Sequence, residues 1–90
     1  MSDKPWKKPS DMMQINKCRG AIATMEMKNK TVITGKLAFF NYDEQVAHLE
    51  DYQIETEVDR TIIESGRFIV INRTAWRTLK IQELQYTEVQ

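Results

Sequence analysis

The chain has 90 residues, enough for one domain of the usual ~100–150-residue size and no more. It is 41% hydrophobic and 29% charged, with three Gly and two Pro, which excludes a disordered or collagen-like chain. Thirteen Lys+Arg balance thirteen Asp+Glu, which removes the global basicity of a protein that coats duplex DNA. One cysteine, Cys18, rules out an internal disulfide framework and a four-cysteine zinc site, and points to a reducing compartment. One histidine, His48, rules out a histidine-rich metal centre, so neither metal nor cofactor is expected. No apolar run approaches the ~20 residues of a bilayer span, and the start of the chain lacks the apolar centre of a signal peptide. A small soluble cytoplasmic domain with no membrane partner is expected. A single core of this size is thinly stabilised, so an oligomer or a partner is expected too.

In chain order, residues 1–9 read as a flexible basic tail, with three lysines and two prolines around Trp6. Ser10 or Asp11 caps a short helix that runs through Met12–Lys17 and stops at Gly20. Ala23, Met25 and Met27 then alternate with Thr24 and Glu26 as a strand, and Lys28-Asn29-Lys30 turns the chain. Thr31 to Phe39 is a second strand with Ile33, Gly35, Leu37 and Phe39 on one row; Phe40 breaks the period and suggests a bulge or strand end. A polar loop, Asn41 to Gln45, leads into a third strand from Val46 to about Glu55. Gln53 to Ser65 is acidic and weakly patterned, a long hairpin arm or a mobile loop, punctuated by Gly66. Phe68-Ile69-Val70-Ile71 is a continuous apolar run, as in a strand covered on both faces. Asn72 to Ala75 turns into a last strand, Trp76 to Gln82, with Leu79 and Ile81 inward, and the tail from residue 85 is polar. The fold expected is all-β: a short N-terminal helix followed by a strongly bent, five-stranded antiparallel sheet, the domain spanning residues 10–84.

Charge is segregated along this chain. Residues 1–36 carry a balance of +5, residues 37–66 one of −7, and residues 67–90 one of +2. Such segregation makes one surface attractive to phosphate and another repulsive, or merely reflects exposed strand faces and turns.

Enzyme chemistry has little to work with. The glycines at 20, 35 and 66 stand isolated, so no phosphate loop is present. Cys18 and His48 have no spacing that supports a nucleophile and base, and the carboxylates lie in a solvated stretch rather than as a pair in an apolar pocket. No catalysis is expected. Two polar clusters at strand joins are more suggestive: Asn41-Tyr42-Asp43-Glu44-Gln45 and Asn72-Arg73-Thr74. Each combines amides with a group able to stack, as single-stranded nucleic-acid sites do. The same residue types also serve routinely as turn formers.

The order of these residues resembles the Sm/Sm-like family (Sm, LSm and the bacterial Hfq type) over Lys8 to Leu84. Gly35-Lys36-Leu37-Ala38-Phe39-Phe40-Asn41 tracks the family's first motif, Gly-x-Leu-x-x-Phe-Asp, and Leu49-Glu50-Asp51 its strand-ending Leu-x-Asp. Phe68-Ile69-Val70-Ile71-Asn72-Arg73, with Trp76, is similar to the second motif, an apolar run into Ile-Arg-Gly. The chain departs from the pattern at Asn41, where the family has Asp, and lacks the Met-Asn pair, Gln45 being nearest to that Asn. Asn72 takes the motif Arg position and Arg73 the Gly position.

The resemblance implies an open SH3-like barrel in which the fourth strand of one copy pairs with the fifth of the next, closing a ring of roughly five to seven subunits. Phe68, Ile69, Val70, Ile71, Trp76 and Leu79 would then serve the subunit interface, Trp76 there or as a cap on the core. It also implies single-stranded RNA, U-rich or A-rich, held in the central opening by Asn41, Tyr42, Asp43, Gln45, Asn72 and Arg73. Tyr42 would stack a base, the amides and Asp43 would read base edges, and Arg73 would pair with phosphate or stack. Lys4, Lys7, Lys8, Lys17 and Arg19 offer a second contact surface, and the acidic hairpin would face away from RNA. The alternative is a ring scaffold that binds protein partners with little RNA affinity, which the neutral charge and altered motif residues favour.

Overall fold

Alternation of apolar and polar residues sets the first strand of the computed structural model, which describes residues 15–41, 43–82 and 84–87. In β1 (Ile22–Met27), Ala23, Met25 and Met27 are buried while Thr24 and Glu26 take the other face. The expected turn at residues 28–30 follows: Lys30 sits at φ 69° and donates its N–H to the Met27 carbonyl at 3.2 Å.

β2 (Thr31–Asn41) pairs with β1 on one side and with β3 (Val46–Thr56) on the other, all antiparallel. Its register against β3 shifts twice. At the first shift, between Thr34 and Lys36, Asp51 adopts φ 51°. A Cβ on Gly35 would lie 3.2 Å from the Glu50 carbonyl oxygen and from the Cβ atoms of Leu49 and Tyr52. The strands approach too closely there for a side chain without adjustment, and a glycine lets the sheet bend. The second shift, between Leu37 and Phe39, exchanges the faces. The expected row of Ile33, Gly35, Leu37 and Phe39 therefore shares one face only through Leu37, after which Phe40 is buried and Phe39 exposed.

The acidic segment is a hairpin arm, not a loop. β3 turns over residues 57–61, where Asp59 accepts from the hydroxyls of Thr56 and Thr61, and returns as β4 (Ile62–Asn72). These hydrogen bonds, the one from Thr56 foremost, hold the Asp59 carboxyl below its ordinary range. β4 thus begins six residues before the expected Phe68. The apolar run within it is covered on one face only: Ile71 is buried and Ile69 half-buried, while Phe68 and Val70 are exposed.

A single 3₁₀ turn, Arg73–Ala75, leads to β5 (Trp76–Ile81), which crosses to pair with β1. The five expected antiparallel strands are present, and among the described residues a sixth joins them. Leu84–Thr87 forms β6, antiparallel to β5, in a stretch that reads as part of a polar tail from sequence. The sheet order is β4-β3-β2-β1-β5-β6. Ile71 of β4 and Trp76 of β5, four places apart in that order, belong to one core cluster, so the sheet is strongly bent into an open barrel. Most of the expected helix, Ser10–Lys17, lies outside the described residues; within them only residues 15–16 are α-helical. Ile15 from this turn is fully buried in the core.

Candidate nucleic-acid interface

The two polar clusters meet at one end of the sheet. Asn41 is opposite Val46, and Val46 is opposite Asn72, which sets the β2–β3 and β4–β5 connections side by side. A backbone hydrogen bond from the Arg73 N–H to the Gln45 carbonyl, 2.9 Å, ties them together.

Each turn is built by its own asparagine. The Asn41 carbonyl accepts from the Gln45 N–H at 2.8 Å, and its Oδ1 accepts from the Glu44 N–H at 3.0 Å. Gln45 closes this turn at φ 59°. Asn72 Oδ1 accepts from the Thr74 N–H and hydroxyl at 3.0 and 2.9 Å. Both side-chain oxygens therefore shape backbone, as turn-forming asparagines do. Asp43 is exposed, and Gln45 half-buried. Arg73 is also half-buried, and its Nε is buried without a hydrogen-bond partner among the described residues. A buried donor left unpaired is costly, so this guanidinium is placed to gain from an acceptor brought by a ligand. Tyr42, expected to stack a base, lies outside the described residues.

Sequence reasoning passed over Asn16, which grips the strand just before this site. Its amide Nδ2 donates to the Phe40 carbonyl at 2.8 Å, and its Oδ1 accepts from the Phe40 N–H at 2.7 Å. One side chain thereby imitates a neighbouring strand beside Asn41; its only signal in sequence is an amide after an apolar helical residue. Thr74, which secures Asn72, was legible only as part of the turn.

The expected interface residues divide between two environments. Ile71, Trp76 and Leu79 are buried inside the protomer at 4%, 0% and 1% exposure, whereas Phe68 and Val70 project from β4 at 54% and 48%. Ile62 and Ile63, at the start of the same strand, are exposed as well. On the outer face, Phe39, His48 and Phe68 form a row with centroid spacings of 5.9 and 5.7 Å. Arg19 lies 5.6 Å from the Phe39 ring centre and donates to the Ala38 carbonyl. Of the suggested second contact surface, Lys17 and Arg19 are exposed, and Lys4, Lys7 and Lys8 lie outside the described residues. Among the described residues no cluster of His, Cys, Asp and Glu could hold a metal, and no helix is long and apolar enough to cross a membrane.

No protein-family model and no curated protein matches the sequence significantly. The three-dimensional comparison is decisive. The Pyrococcus abyssii Sm protein in complex with a uridine heptamer superposes with a TM-score of 0.67, over 84% of this chain and 100% of that one. This chain has the Sm fold. Sequence identity in the match is only 14%, so the likeness speaks to the fold and not to the ligand. With the Sm fold, two strand joins that carry amides and a guanidinium stand as one surface at a sheet end, and an 11-residue strand, β4, stands at the sheet edge.

Proposed function

We propose that this protein is a subunit of a homo-oligomeric ring of roughly five to seven copies that binds single-stranded RNA at the coupled turns. The observation that carries this reading is the hydrogen bond from Arg73 to Gln45, which holds the two ligand-competent turns as one surface. In this reading Tyr42 stacks a base, Asn41, Asp43, Gln45 and Asn72 contact base edges, and Arg73 pairs with phosphate or stacks. The uridine heptamer bound by the Pyrococcus abyssii protein makes oligo-U the first probe. Stacking contributes ~1–3 kcal/mol per base, so one tyrosine per copy binds weakly and a ring of copies binds tightly.

Assembly in this reading joins the open edge of β4 to β5 of the next copy. Closing the ring removes exposed sheet edges and covers Phe68 and Val70. The combined Tyr42→Ala and Arg73→Ala substitutions are expected to weaken oligo-U binding at least ~100-fold while leaving the oligomer intact. Parental affinity in that variant would refute the site. The occupied Oδ1 atoms of Asn41 and Asn72 favour a second reading, a ring scaffold for protein partners. An intact ring that takes up neither oligo-U nor oligo-A would decide for the scaffold.

A further inference from the structure

β6 lies where the proposed ring needs a neighbour. Leu84–Thr87 pairs with Thr78–Ile81 along the outer edge of β5, opposite the edge that β1 occupies. Its described residues reach as far along β5 as Thr78, which is opposite Thr87. The strand at the other end of the sheet, β4, has 11 residues, and the described residues of β6 number four. The link between β5 and β6 passes through Gln82 at φ 53°, a left-handed conformation that a residue other than glycine adopts at some cost.

From these observations we infer that β6 is a displaceable placeholder: it covers the β5 edge of the isolated protomer and must leave before β4 of a second copy can pair there. The inference rests on the ring reading above and adds its regulation. A strand tethered through so short a link acts at an effective concentration of order millimolar, so it competes strongly while copies are dilute. β4 offers an 11-residue ladder and brings Phe68 and Val70, which prevail once copies are concentrated or ring closure adds its cooperativity. Assembly therefore has a concentration threshold set by residues 84–87. In the monomer the same residues protect β5 from indiscriminate edge pairing.

Lys80 and Gln85 are opposite one another and both exposed, so a disulfide at these positions locks β6 in place. The native Cys18 is buried and does not compete for it. The double variant Lys80→Cys/Gln85→Cys and a chain ending at Gln82 are compared with the parent by mass photometry over a concentration series. The oxidised variant is expected to stay monomeric at least ~tenfold above the parental threshold and to assemble like the parent once reduced. The shortened chain is expected to assemble at least ~tenfold below that threshold. Oxidised protein that assembles like the parent, or a folded shortened chain that no longer assembles, overturns the inference and makes β6 part of the ring contact. Equal thresholds for parent and shortened chain also overturn it while the ring stands. A parent and a shortened chain that are both monomeric at every concentration overturn the ring reading itself.

Discussion

Gly66 and Tyr52 are opposite one another across β3 and β4, and each fits because of what the other is. A Cβ on Gly66 would come within 2.8 Å of the Tyr52 ring carbon Cε1 and of its hydroxyl, contacts that require the ring to move. That ring is held by a 2.7 Å hydrogen bond from its hydroxyl to Glu64. Gly66→Ala is therefore expected to destabilise the protein by about 1–3 kcal/mol in urea titration, the range for overpacking. In a Tyr52→Leu background most of that penalty should vanish, and equal penalties in the two backgrounds would refute the contact. The hydrogen bond to Glu64, followed by burial and the Glu64 charge, raises the Tyr52 phenol above its ordinary range. The folded state then holds this proton more tightly than the unfolded one. Stability from Tyr52 is complete below the ordinary tyrosine range and is lost as pH rises through the raised value. Tyr52→Phe should flatten that alkaline loss in pH-dependent denaturation, and an unchanged alkaline slope would argue against it.

At the scale of strands, β4 divides its residues between two tasks. Ile71 lies in the core, so Ile71→Asp buries a charge and is expected to unfold the protomer. Phe68 and Val70 point outward, so Phe68→Asp or Val70→Asp should preserve the circular dichroism of the sheet yet abolish assembly. Two folded variants with parental rings would contradict the proposed interface. The same strand shows what sequence can reveal. Where one face is buried, the period of two is visible, as in Ala23, Met25 and Met27 of β1. Ile62 to Ser65 are exposed in β4, held by backbone pairing to β3, so burial leaves no hydrophobic pattern to read. β6 is hidden because a short segment at the start of a polar tail gains its place by backbone pairing with β5. At Phe39 and Phe40 the broken pattern suggests a bulge or a strand end, but which ring turns inward depends on the register with β3. The two asparagine turns were legible as clusters; their contact was not, because Gln45 and Arg73 are brought together only by the long β3–β4 hairpin.

The whole molecule is an Sm-fold barrel whose sheet, among the described residues, ends in β4 and β6, with a polar surface where two connections meet. Its small core, neutral net charge and outward Phe68 and Val70 are reconciled if copies of the chain supply one another with the missing edge. In the proposed function, RNA would bind through repetition of a weak site rather than through a strongly basic surface. Native mass spectrometry of the purified protein, alone and with short oligo-U and oligo-A RNA, tests this account most directly. The account predicts a discrete species of roughly five to seven subunits that gains whole RNA oligomers. A chain that stays monomeric at all concentrations, or a ring that takes up neither RNA, would contradict it.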